Sequence, residues 1–116
     1  MRTPQFAARI QRENVLDYEI AQEQAAALGR LGRALEAALA ALAAHDLTAA
    51  ERGSDKAPGR SAVTKTRERL VRDASNALWC FIIQREVCGL RDQRLILREY
   101  RVPVEVINRM GAFGAG

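Results

Sequence analysis

Apolar positions recur along this chain at helical rather than alternating spacing. One stripe runs Leu16, Ile20, Leu28, Leu31, Leu35, Ala38, Leu39, Leu42. A second runs Val63, Leu70, Val71, Ala74, Ala77, Leu78, Phe81. Side chains three and four apart share one helix face, so each stripe predicts an amphipathic helix. The first helix is expected over 14–44, with Asn14 as N-cap and Asp17 three residues on, resembling a capping box. The second is expected over 62–88. Between them, 45–61 holds Gly53, Ser54, Asp55, Pro58 and Gly59, a cluster of loop signals. Residues 1–13 read as an N-terminal arm. Two short helices, 93–99 and 104–110, follow the second long one, and 112–116 reads as a flexible tail.

The densest apolar run lies at the end of the second helix, 76–92, reading NALWCFIIQREVCGLRD. Trp79, Ile82 and Ile83 fall off the main stripe there, so the helix is apolar nearly all round and should be buried on several sides. Gly89 suits a left-handed helix stop, with Leu90 folding back in a Schellman motif. Asp92 is placed to cap the next helix. Pro103 fits the first turn of the last helix, and Gly111 is expected to end it. Leu28, Leu35 and Leu42 are seven apart, as in a coiled-coil seam. Gly29 and Gly32 interrupt that helix at about 1 kcal/mol each relative to alanine, which suggests close approach of a neighbour, with Trp79 the candidate.

The fold class is therefore all-α: a long antiparallel helical hairpin plus two short C-terminal helices. Pairing two hairpins would give a four-helix bundle. The candidate dimer or core stripe is Leu28, Leu31, Leu35, Leu39, Leu42, Leu70, Leu78 and Phe81. At 116 residues the chain fits one small domain.

Charge alters this picture in one place. The net charge is +4. Residues 1–58 carry seven basic and eight acidic groups, net −1, and 59–116 carry eleven and six, net +5. Lys65, Arg67, Arg69 and Arg72 crowd the expected first turns of the second helix, where cations oppose the helix dipole. They are the candidate anion contact, and an ordinary solvated arginine face is the competing account. Gln84, Arg85, Glu86, Arg91 and Asp92 form a candidate polar pocket. The alternative is a structural cluster that pins the helix end, since Arg85 falls on the apolar stripe and needs a partner there.

Chemistry is thinly represented. The chain has two cysteines and one histidine, with no standard zinc-ligand spacing. Cys80 and Cys88 are eight apart on one helix, about 12 Å, too far for a disulfide. Reduced thiols fit a cytoplasmic protein. His45 beside Asp46 lacks a nucleophile and suits a helix C-terminus instead. No phosphate-cradling glycine loop, paired-histidine motif or nucleophile elbow is present. No apolar run reaches the length of a signal peptide core or of a membrane span, which needs about 20 residues. The expectation is no catalytic site, no metal, no cofactor and no membrane contact.

Three blocks carry a resemblance: EIAQEQAAALGRLGRALEAAL (Glu19 to Leu39), ALWCFIIQREVCGLRD (Ala77 to Asp92) and YRVPVEVINRMG (Tyr100 to Gly111). Together they resemble a family of small uncharacterised bacterial all-helical proteins, a domain of unknown function with a helical hairpin and a short C-terminal part. The run from Gln84 to Asp92 is its most distinctive portion. The resemblance implies a bacterial, cytoplasmic, all-helical protein and brings no activity. Two functions are therefore expected in competition. One is a homodimeric interaction or scaffolding module, with a separate protein partner also possible. The other is a non-specific nucleic-acid binder that uses the basic turns of the second helix.

Overall fold

The structure, a computed structural model, describes residues 4–52 and 57–114, with side chains over 7–52 and 62–111. It contains four helices: α1 Pro4–Arg52, α2 Ala57–Val87, α3 Gln93–Glu99 and α4 Val104–Gly114. No strand occurs among the described residues. The chain is all-α, with a long hairpin followed by two short helices, as the apolar spacing predicts.

The long helices are longer than expected. The arm predicted over 1–13 is helix from Pro4 onward. Proline suits a first turn, where its missing N–H leaves nothing unpaired, and no further proline or glycine follows before Gly29. Asn14 thus lies inside a helix rather than capping one. The linker predicted over 45–61 is helical at 45–52 and again from Ala57. Ala49, Ala50, Glu51 and Arg52 are good helix formers, and Thr48 donates its hydroxyl proton back to the Ala44 carbonyl at 3.0 Å. Only residues 53–56 separate the two helices, and they lie outside the described residues. Pro58 sits in the first turn of α2, where it is tolerated. At the other end Gly111 does not stop α4, which runs on to Gly114, so the tail predicted over 112–116 is helical for its first three residues. Residues 115 and 116 lie outside the described ones.

The core lies between α1 and α2 and is closed by α3 and α4. Leu35, Leu42, Val71, Ala74, Leu78, Phe81, Ile82, Ile96, Val102 and Val106 are buried in it. Leu28, Leu31, Leu39 and Leu70 pack against its edge. All eight residues of the predicted dimer-or-core stripe are therefore spent inside one chain. Gly32 lets this happen. A Cβ there would stand 3.1 Å from the Tyr100 hydroxyl and 3.3 Å from the Phe81 ring. The close neighbours are Phe81 and Tyr100, whose rings pack at 5.4 Å and 55°. Trp79, the expected neighbour, is exposed instead.

The junctions follow their sequence signals closely. Gly89 takes φ +85°, Leu90 N–H donates to Arg85 O at 2.8 Å, and Gly89 N–H donates to Glu86 O at 3.0 Å. That pair of bonds is a Schellman stop. Asp92 caps α3 by accepting from Leu95 N–H at 3.3 Å. The end of α3 repeats the Schellman pattern, with Val102 N–H to Leu97 O at 3.0 Å and Arg101 N–H to Arg98 O at 3.1 Å. Its left-handed position is held by Arg101 at φ 51°, not by glycine.

Candidate functional site

α2 presents two opposite faces. One carries Val71, Ala74, Leu78 and Phe81 into the core. Half a turn away lie Lys65, Arg69 and Arg72, then Trp79, Ile83 and Val87, all outside the buried core. Steps of three and four residues put each group on one line along the helix. This outer face carries cations in its first half, flanked by exposed Glu68 and Asp73, and apolar side chains in its second, with exposed Asn76 and Glu86 beside them. Trp79 is 40% exposed, Ile83 41% and Val87 56%. The all-round apolar stretch predicted to be buried is thus buried on one side only. Cys80 is exposed on the same outer side.

Arg67 does not belong to the basic line. Two positions from either Lys65 or Arg69, it is turned toward the core side. There Nε donates to Asp46 Oδ1 at 2.8 Å and Nη2 to Asp46 Oδ2 at 3.1 Å. Nη1 donates to Glu105 Oε2 at 2.8 Å, and Nη2 also reaches Glu105 Oε1. One guanidinium therefore joins α1, α2 and α4. Its hydrogen bonds hold the Asp46 and Glu105 carboxyls below their ordinary pKa range, and hydrogen bonds to Glu105 and Asp46 raise that of Arg67. The opposition between cations and the α2 dipole also falls away: α2 begins at Ala57, so Lys65 stands beyond the first turn, where the dipole is felt.

The polar residues at the end of α2 each work locally. Gln84 Nε2 donates to the Gln24 carbonyl of α1 at 3.3 Å. Arg85 lies 5.9 Å from the Phe81 ring centroid, within cation–π range. Glu86 is 3.5 Å from Gln93 Nε2, Asp92 caps α3, and Arg91 is exposed. An open depression elsewhere, lined by Glu36, Leu39, Glu99 and Tyr100, gathers none of them. His45 is not at a helix end, because α1 continues to Arg52. Its Nδ1 is 3.7 Å from Asp46 Oδ1, too far for a hydrogen bond. Among the described residues no group of three or more His, Cys, Asp or Glu could hold a metal ion. None of their helices is long and apolar enough to cross a membrane.

A second apolar surface lies on α1. The Gln84 contact sets the end of α2 level with Gln24. Residues 4–23 therefore project beyond α2 by about 30 Å at 1.5 Å per residue. This overhang stretches the molecule to 82 × 24 × 22 Å. Ile10, Val15, Leu16, Tyr18 and Ile20 are exposed along it. By periodicity Leu16 and Ile20 belong to one buried stripe, because sequence spacing does not reveal where the opposing helix stops. The signal for a second surface is present in Val15 and Tyr18, which sit off that stripe.

Comparison with known proteins bears on the family alone. No curated protein and no solved structure matches the chain. A family model described as "Family of unknown function" (DUF6665) matches residues 44–116. That range takes in the last turns of α1 and all of α2, α3 and α4, with the Arg67 clasp and the outer face of α2 inside it. It includes two of the three blocks that carry the resemblance, and the block from Glu19 to Leu39 falls outside. The match spans well over half of the sequence, and the chain belongs to this family of unknown function, DUF6665.

Proposed function

We propose that the protein is a non-catalytic homodimeric interaction or scaffolding module of the bacterial cytoplasm. One observation carries this reading: α1 overshoots α2 and leaves Ile10, Val15, Leu16, Tyr18 and Ile20 without cover. These side chains lie on several sides of a projecting helix that has no neighbour within the chain, and a helix apolar on several sides favours a partner that covers it. The reading also draws on the outer apolar line of α2, Trp79, Ile83 and Val87. Light scattering at low and high salt, on protein free of nucleic acid, tests it. The expected mass is that of two chains at micromolar concentration, and a stable monomer would overturn the reading.

The runner-up is non-specific nucleic-acid binding. The observation favouring it is the line Lys65, Arg69, Arg72 on one outer face with Trp79 beyond it. Cations that follow a backbone beside an aromatic ring suit single strands. Such binding must weaken steeply as salt rises, and a titration of labelled oligonucleotide at two salt concentrations would reveal it.

A further inference from the structure

α3 carries arginines that neither the Arg67 clasp nor the core employs. Arg94 and Arg98 stand one turn apart on it, about 6 Å. Ile96, two residues from each, is buried in the core, so both arginines lie on the opposite side of the helix. Arg91 precedes the Asp92 cap, and Arg101 occupies the left-handed stop at the other end. The four fall within roughly 15 Å at the helical rise, and all are exposed. Arg30 is paired with Glu23, and Arg67 with Asp46 and Glu105. None of the four on α3 has a side-chain hydrogen bond or ion pair among the described residues.

The surrounding acids are engaged elsewhere. Residues 90–101 hold the four arginines against Asp92 and Glu99, net +2. Asp92 accepts from Leu95 N–H as the cap, and Glu99 borders the depression beside Glu36 and Leu39. On the neighbouring helices Glu86 meets Gln93, and Glu105 is taken by Arg67.

Arg101 supplies an independent observation. The stop after α2 places Gly89 in the left-handed region, whereas the stop after α3 places an arginine there, at φ 51°. That choice costs stability that glycine would spare. An exposed side chain held in a disfavoured conformation, with no hydrogen bond of its own to offset it, points to a use outside the fold.

We propose that the arginines of α3 contact the sugar–phosphate backbone of duplex nucleic acid. All four cations are guanidiniums, whose fork matches two phosphate oxygens at once. A strand carries one phosphate per about 3.4 Å of axis, so a row of this length faces about four of them. A line of charge one helix wide fits a linear polyanion, not a lipid plane. Tyr100 is the one aromatic residue in 90–111, and its ring packs on Phe81. The row therefore has no platform for stacked bases, and it holds backbone without reading sequence. This surface is separate from the uncovered side chains of α1 on which the homodimer reading rests, and from the Lys65, Arg69 and Arg72 line of α2.

Fluorescence anisotropy of short labelled duplex DNA, in two unrelated sequences and at two salt concentrations, tests the assignment on the full chain. Both sequences should bind alike, and binding should weaken steeply as salt rises. Arg94→Gln combined with Arg98→Gln should weaken it about tenfold or more and reduce the slope of log affinity against log salt by about 2. Circular dichroism checks that this variant keeps its helicity. Arg101→Gly separates function from structure. It should raise the melting temperature and yet weaken binding several-fold, with a slope smaller by about 1. An arginine with no role outside the fold would give the first change without the second. The proposal is overturned if the chain does not bind duplex, or if both α3 variants bind it as the unaltered chain does. If Lys65→Gln, Arg69→Gln and Arg72→Gln together abolish binding that the α3 variants retain, the contact lies on α2. Stronger binding to vesicles of anionic lipid or to polyglutamate than to duplex would also overturn it. None of these results bears on the mass of the chain in solution, so the homodimer reading is tested apart.

Discussion

Arg67 grips Asp46 through two parallel hydrogen bonds, Nε to Oδ1 at 2.8 Å and Nη2 to Oδ2 at 3.1 Å, across 21 positions of sequence. The same guanidinium holds Glu105 on α4. The fork geometry that arginine alone provides makes both contacts possible at once. Arg67→Met should lower unfolding stability by about 1 kcal/mol, the range of partly exposed ion pairs. Lys65→Met should leave it within about 0.5 kcal/mol, as expected of a surface change. Urea denaturation of the two variants checks the contrast.

The clasp also sets a pH dependence. Asp46 and Glu105 titrate lower in the folded chain than in the unfolded one, chiefly through hydrogen bonds from Arg67. The unfolded chain thus binds more protons as pH falls, and linkage favours it. The contribution is complete above the ordinary carboxylate pKa of about 4 and disappears as pH drops through the lowered native values. Melting temperatures of the unaltered chain and of Arg67→Met should differ at neutral pH and converge in strong acid. A gap that persisted below the native carboxylate values would contradict the assignment.

Two glycines one turn apart should respond in opposite directions. A Cβ at Gly29 meets only the flexible tip of Arg33, at 3.3 Å, whereas at Gly32 it meets the Phe81 ring and the Tyr100 hydroxyl. Gly29→Ala should stabilise the chain by about 0.5–1 kcal/mol through helix propensity. Gly32→Val should cost about 1–3 kcal/mol through overpacking. Thermal melts followed by circular dichroism measure both, and a stabilising Gly32→Val would refute the close packing.

Arg101 is an L-residue in the left-handed region, at φ 51°. That conformation costs about 1–2 kcal/mol for a side chain with a Cβ, and glycine is free of it. Arg101→Gly should therefore raise stability by about 1 kcal/mol, partly offset by the greater freedom of glycine in the unfolded chain. A rise of several degrees in melting temperature is expected, and a fall would mean that the Arg101 side chain makes a compensating contact.

The all-helical class, the hairpin and the helix junctions are legible from the sequence by itself. Apolar spacing records the face that each helix buries. Gly89, Asp92 and Pro103 record local backbone needs that no distant residue can alter. The core stripe from Leu28 to Phe81 is legible for the same reason. What only the tertiary structure decides is which surface is left uncovered. Periodicity marks Leu16 and Ile20 no differently from Leu35 and Leu42, yet the first pair is exposed and the second buried, because α2 ends level with Gln24. Composition groups Arg67 with Lys65, Arg69 and Arg72. Half a turn of helix sends it to Asp46 and Glu105 while the other three lie on the outer face. Trp79, the largest side chain in the chain, looks like a core residue until Phe81 and Tyr100 are seen to fill the space at Gly32. A sequence encodes faces and stops locally, but burial depends on where one helix ends against another, and that offset is set by packing across the whole fold.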